Sequence, residues 1–143
     1  MNNVDETDPR ELQTLQAYLG EYGQQAEILS RQLDLMERQR IESYAAIEAL
    51  KALTSQQDPV VLLPVGGGTT VRAKISDPDN VLVNIGADVV VRRTNAEAIG
   101  FIEDRIRELE TLEKKIAESL EQVRAQVNEI ARRIDQSYQK SRA

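Results

Sequence analysis

The chain has 143 residues, of which 41% are hydrophobic, 29% charged and only 3% aromatic, with a formal net charge of −6. It contains no Cys and no His, which excludes disulfides, thiolate chemistry and both the commonest general base and the commonest zinc ligand. The negative balance argues against nucleic-acid binding, which needs a concentrated positive field, and a single Phe with no Trp turns the expected core toward Leu, Ile, Val and Ala on long helical seams.

The opening stretch MNNVDETDPRE is acidic and has no apolar run, so no secretory signal is expected there. The longest apolar run, PVVLLPV, is far too short to span a membrane. A single domain with no membrane contact, in the cytoplasm, is the expectation.

The first element is a helix over 8–54. Asp8 suits the N-cap, Pro9 the first helical position, and Glu11 completes a capping pattern. Apolar residues then fall at Leu12, Leu15, Leu19, Tyr22, Ala26, Leu29, Leu33 and Met36. Steps alternating between three and four define a heptad seam. Arg40 and Ser43 occupy the next two slots, and Ile47 and Leu50 resume the stripe in phase. The pair Asp58-Pro59 ends the helical pattern. Gly20 and Gly23 lie inside this helix and soften it toward its N-terminal end.

Over 60–93 the period changes to two. VVLLPV is a short buried-type run. TTVRAKI puts Val71, Ala73 and Ile75 on one face, NVLVNI does the same for Val81, Val83 and Ile85, and VVVRRT for Val89 and Val91. Between these four strands lie GGG, SDPD and GAD, all turn chemistry. The glycines at 66–68 raise the question of a phosphate-binding loop. A P-loop needs Gly-Lys-Ser/Thr leading into a helix, whereas here the next lysine, Lys74, lies six residues on within a strand. The glycines are therefore expected to turn a hairpin. Four short strands cannot bury an apolar face by themselves, so the two hairpins read as an oligomerisation element.

The last element is a helix over 95–141. Thr94 with Glu97 forms a capping box. Its seam runs Ile99, Ile102, Ile106, Leu109, Glu113, Ile116, Leu120, Val123, Val127, Ile130 and Ile134, with Ser137 next and Tyr138 beside it. At about 45 residues each, the two helices would be roughly 68 Å long. Neither can bury its stripe alone, and the simplest solution is an antiparallel coiled coil with Leu50 near Ile99, Leu33 near Ile116 and Leu15 near Ile134. Residues 1–11 carry four acids and one base and residues 132–143 four bases and one acid, so the ends brought together are complementary. The fold class expected is α+β: a long antiparallel two-helix coiled coil joined by two central hairpins.

Helix, two hairpins and helix, with VLLPVGGGTTVRAKISDPDNVLVNIGADVVVRRT at the centre, closely resembles the prefoldin alpha class, the archaeal form in particular. The resemblance covers nearly the whole chain, and two hairpins rather than one mark the alpha class. It implies a complex of two alpha and four beta subunits. Their hairpins would form a β-barrel platform, from which six coiled coils hang. The free ends would hold unfolded proteins and pass them, without ATP, to a group II chaperonin.

On this reading the chain is not an enzyme and has no catalytic, cofactor or metal residues. Its partners are prefoldin beta subunits, unfolded polypeptides and a group II chaperonin, with no nucleic acid and no membrane. Client contact is assigned to the helix ends farthest from the hairpins: Leu12, Leu15, Tyr18, Leu19, Ile130, Ile134 and Tyr138. Helix pairs fray there, and apolar side chains amid charge suit a promiscuous binder. The same residues also fit plain coiled-coil core, the reading preferred for Leu19 and Ile130. Assembly is assigned to Val71, Ile75, Val81, Val83, Ile85, Val89 and Val91. Ile28 and Leu35 stand one heptad apart off the seam, and Phe101 is expected to pack against the strands. The rival reading is a structural coiled-coil adaptor that oligomerises and holds no client.

The antiparallel register brings the two charged interruptions, Arg40 and Glu113, within a turn of each other, and an ion pair in the seam is expected to fix that register. A double-mutant cycle should give a coupling of at least about 0.5 kcal/mol; strictly additive effects of the two alanine substitutions would remove the pair.

Overall fold

The computed structural model describes residues 9–141. Helix α1 (Pro9–Ser55) leads into strands β1 (Val60–Gly66), β2 (Thr69–Lys74), β3 (Val81–Gly86) and β4 (Val89–Arg93), and helix α2 (Asn95–Ser141) follows. Two long helices flank two hairpins, the α+β arrangement read from the change of period. The cap expected at Asp8, and the charges of Asp5, Glu6 and Arg142, lie outside the described residues. Pro9 is the first described helical residue, a position where a missing N–H is no loss.

The described residues divide into two compact units, one formed by 9–37 with 111–141, the other by Arg38–Glu110. In the first unit the two helices bury one stripe each. Leu12, Leu15, Leu19, Tyr22, Ala26, Leu29, Leu33 and Met36 are all half-buried, as are Ile116, Val123, Val127 and Ile134. Leu120 and Ile130 are buried. The intervening positions are almost all exposed and mostly charged or amide-bearing, so the boundary between core and solvent follows the heptad closely. The Gln16 side chain donates to the Tyr138 hydroxyl at 3.3 Å, joining the start of α1 to the end of α2.

In the second unit the seam continues through Ile47, Ile106 and Leu109, all buried, with Leu50, Ile99 and Ile102 half-buried. Ser43 occupies a seam slot without an unmet hydroxyl because its Oγ donates to the Gln39 carbonyl at 2.7 Å. Tyr44, just off the seam, donates to Glu110 Oε1 at 3.0 Å. That bond to a carboxylate holds the phenol above its ordinary pKa.

The strands form two separate two-stranded antiparallel sheets, β1–β2 and β3–β4. Both hairpins use one device. The register shifts between Pro64 and Gly66 in the first and between Asn84 and Gly86 in the second, which leaves Val65 and Ile85 as extra residues on their strands. Gly66 and Gly86 then take φ of 102° and 114°, a region in which a Cβ is strained. Each chain reversal follows with two left-handed residues, Gly67 and Gly68 in the first and Ala87 and Asp88 in the second. Two consecutive positive φ values are the type I′ pattern, whose twist matches that of paired strands. The glycine run therefore turns a hairpin, as expected, and Ala87 shows that the same turn forms even where a Cβ opposes it. Asn84 Oδ1 secures the second turn by accepting from the Gly86 N–H at 2.9 Å.

One buried residue bonds both to α1 and to the link between the hairpins. Asn95, at the start of α2, is 3% exposed. Its side-chain amide donates to the Leu50 carbonyl of α1 at 2.9 Å and to the Pro78 carbonyl of the link between hairpins at 3.4 Å. Its backbone N–H, one of the donors that a helix start leaves unpaired, is taken by Asp79 Oδ1 at 3.2 Å. Thr94 Oγ1 accepts from the Glu97 N–H at 3.2 Å, so the expected cap is in place, and the Asp79 carboxylate adds a negative charge at the positive end of α2. Asp79 itself sits in a tight turn in which the Asp77 carboxylate accepts its N–H at 3.1 Å.

Replacing Asn95 tests this junction. Asn95→Ala should cost about 1–3 kcal/mol, because buried acceptors lose their donor. Asn95→Asp should cost more, since a carboxylate cannot donate to Leu50 and would lie against Asp79. Urea unfolding followed by circular dichroism would check the order; an aspartate better tolerated than alanine would contradict it.

Candidate functional site: helix ends and hairpin faces

Two surfaces stand out, one in each unit. The first lies where the described ends of α1 and α2 meet. Of the seven residues assigned there, Leu12, Leu15, Leu19 and Ile134 are half-buried in the seam, and Ile130 is only 7% exposed. Tyr18 and Tyr138 project outward, Tyr138 with 47% of its surface open. The Tyr18 ring packs at a tilt on Tyr22, centroids 6.4 Å apart, and Tyr138 is steadied by Gln16. These rings thus combine an accessible apolar face with a held orientation. Seam residues beneath them are accessible only in part while the helices stay paired.

Charge surrounds this end. Arg132 grips Glu129 with two bonds, 2.7 Å to Oε1 and 3.2 Å to Oε2, and Arg133 adds a third contact at 3.4 Å. The Arg132 bond, more than any other influence, holds the Glu129 carboxyl below its ordinary pKa. Elsewhere in this unit Ile28 and Leu35 are exposed on α1, as their off-seam position implies, and so is Leu112 on α2.

The second surface is the pair of hairpins. In β3–β4 the face carrying Val81, Val83 and Val91 turns inward. Val83 is only 8% exposed and the other two are half-buried. Ala98, Phe101 and Ile102 of α2 and Ser43 and Ala46 of α1 stand against this strand face around a groove of about 430 Å³. Phe101 is half-buried there, beside the strands. The opposite face is open: Leu82 is 70% exposed, and Val90 is exposed beside it. Ile85 and Val89, near the turn, are exposed as well.

Hairpin β1–β2 is open on both sides. Cross-strand pairs share a face, so Leu63 with Val71 lie on one side and Leu62 with Arg72 on the other. Leu62 is 64% exposed, and Val60, Leu63, Val65 and Val71 are exposed too. Ile75, at the base, is half-buried, and its N–H donates to the Pro59 carbonyl at 2.9 Å.

The sequence reading thus named Val71, Ile75, Val81, Val83, Ile85, Val89 and Val91 for assembly but not Leu62, Leu63, Val65, Leu82 or Val90. The alternation does group Leu82 away from Val81 and Val83. It does not say which of the two faces the chain's own helices cover. Among the described residues no helix is long and apolar enough to cross a membrane, and no cluster of three acidic residues is placed to hold a metal ion.

Comparison with known proteins agrees with this architecture. Residues 22–140 match the family described as prefoldin subunit. The chain is 55% identical over 139 residues to a prefoldin subunit alpha of Methanoculleus marisnigri, covering 97% of this chain and 93% of the relative. It is 53% identical over 134 residues to that of Methanoregula boonei, covering 94% and 88%. Among solved structures, a filamentous prefoldin of Methanocaldococcus jannaschii superposes with a TM-score of 0.70 at 23% identity, over 80% of this chain and 96% of the other. The prefoldin beta subunit of Thermococcus strain KS-1 gives a TM-score of 0.61 at 18% identity, over 90% and 93%. At those identities the structures speak for the fold alone.

The two faces of β3 predict opposite outcomes for neighbouring substitutions. Leu82→Lys should leave unfolding stability within about 0.5 kcal/mol, whereas Val83→Lys should cost about 2–4 kcal/mol by placing an unpaired charge under the helices. Urea unfolding of the two variants, under conditions in which both are single chains, decides it; equal losses would mean the faces are misassigned.

Proposed function

The chain belongs to the prefoldin family, as a subunit of the alpha class, and from that premise we propose that it holds unfolded polypeptides at the ends of its helix pair while its hairpins build the platform of a hetero-hexamer. The family is one of chaperone subunits that are not enzymes, and this chain is such a subunit. The proposed complex contains two alpha and four beta subunits, works in the cytoplasm without ATP and passes its clients to a group II chaperonin.

The observation that carries the platform is the apolar surface left open on the hairpins. Leu62, Leu63, Val65, Val71, Leu82, Ile85, Val89 and Val90 lie within a short stretch of chain and are all exposed. A patch of this kind marks an interaction surface, and all four strands have unpaired edges at which another subunit's strands can add. Val81, Val83 and Val91 act from beneath, by holding β3–β4 on the helices, and Ile75 does the same at the base of β1–β2.

Client holding is supported by the outward pair Tyr18 and Tyr138. Unfolded chains present apolar segments of every sequence, so a holder needs apolar contact without shape selection. Tyrosine offers a large ring with little conformational entropy to lose. The half-buried Leu12, Leu15, Leu19 and Ile134 become available as the ends of the helix pair open, since termini sit at the low end of local stability. Ile130, enclosed in the seam, contributes only on wider opening.

Dilution of a chemically denatured protein into the assembled complex tests the proposal. The complex with the intact chain is compared with one in which this chain is trimmed to 19–133, once mass measurement shows both assemble. The intact complex should suppress aggregation more strongly. Equal suppression would move client contact to the partner subunits, and no suppression by either would leave a structural adaptor.

A further inference from the structure

The two hairpins share a turn, a bulge and a register pattern, yet their surroundings differ. Hairpin β3–β4 lays one face on its own helices through Val81, Val83 and Val91. It is also held at its leading end by the junction in which Asp79 and Pro78 bond to Asn95. Hairpin β1–β2 has no comparable cover. Both faces of its outer half are open, with Leu62 on one and Leu63 and Val71 on the other. Only its base is anchored, through buried Pro59 and half-buried Val61, Ala73 and Ile75.

An isolated two-stranded hairpin is marginally stable at best, because ordering its backbone costs about 1–2 kcal/mol per residue and a single pair of strands buries little in return. By that measure β3–β4 has a folded platform beneath it within its own chain, and β1–β2 does not. The glycine-rich turn loosens it further, since three adjacent glycines have more conformational freedom to lose than the Gly-Ala-Asp of the second turn.

We propose that β1–β2 becomes stably folded only on assembly, enclosed on both faces by the hairpins of neighbouring subunits, whereas β3–β4 is folded in the single chain and offers its outer face, Leu82 and Val90, with Ile85 and Val89 at its turn end. This rests on the hairpin platform proposed above and adds an order to its formation: β3–β4 docks as a preformed surface, and β1–β2 folds as it is captured. Coupled folding of this kind makes association depend on a partner that supplies both faces at once, which disfavours pairing with an arbitrary strand edge.

Amide hydrogen exchange read by mass spectrometry separates the possibilities. It is measured on the full chain diluted until native mass spectrometry shows single chains, and on the assembled hexamer. Leu82→Lys supplies single chains if dilution does not. In the single chain, amides of 60–66 and 69–74 should exchange at least about tenfold faster than those of 81–86 and 89–93. In the hexamer both hairpins should be protected. Equal protection of the two hairpins in the single chain would overturn the proposal while leaving the platform intact, as would rapid exchange in β3–β4. Rapid exchange in β1–β2 of the hexamer itself would overturn the platform as well.

Discussion

The bonds of Asn95 are what convert a helix, two hairpins and a second helix into one object near the centre of the chain. A buried side-chain amide must find partners, because an unmet donor in that setting costs more than the bond gains when made. Asn95 finds them in two places at once, the last turns of α1 and the link between hairpins, while its own N–H is met by Asp79. Few other residues would serve. Aspartate lacks the donors, and an aliphatic residue would leave the Pro78 carbonyl without its side-chain partner. With this junction set, β3 lies beside the helices, where Val83 is buried and shares a groove with Ala98, Phe101 and Ile102.

Away from the junction the chain obeys a simpler economy. Each helix has one apolar stripe and buries it on the other helix, so the outer faces are mostly polar, with Ile28, Leu35 and Leu112 among the exposed exceptions, and the pair ends in partly accessible apolar residues. The hairpins do the reverse. They carry a high density of Val, Leu and Ile, no acidic residue within any strand, and only one inward face between them with substantial cover. A chaperone subunit needs both conditions: a strongly apolar, strand-edged element to fix it in a complex, and a weakly apolar, adaptable element left free for clients. The physical distinction is one of continuity. A contiguous apolar surface with unpaired edges favours stable association, whereas single rings amid charge, such as Tyr18 and Tyr138, present only small, separate apolar areas.

The doubled hairpin shows how one local solution can serve two purposes. Gly67-Gly68 and Ala87-Asp88 adopt the same left-handed pair, and each follows a bulged residue and a glycine at positive φ. Local chemistry is therefore nearly repeated. What differs is what lies beneath each sheet, and position in the chain differs with it: β3–β4 is followed after Thr94 by α2, while β1–β2 is separated from α1 by Gln56, Gln57, Asp58 and Pro59, with Asp58 in a left-handed conformation.

Much of this architecture is legible in the residues themselves. Every slot of both seams, including the anomalous Arg40, Ser43, Glu113 and Ser137, is buried or half-buried, because helical period alone decides which side chains share a stripe. The cap at Thr94 and the tight turns at the glycines follow from local backbone chemistry in the same way. Alternation likewise decides that Val81 and Val83 share a face opposite Leu82. It does not decide which face meets the helices, nor that Ile130 is enclosed while Tyr138 is open, nor that Asn95 is a hub rather than another polar residue at a helix start. Those outcomes depend on what is brought against each residue from elsewhere in the chain. Periodicity is a property of a segment, whereas cover is a property of its neighbours, and only the tertiary structure assigns them.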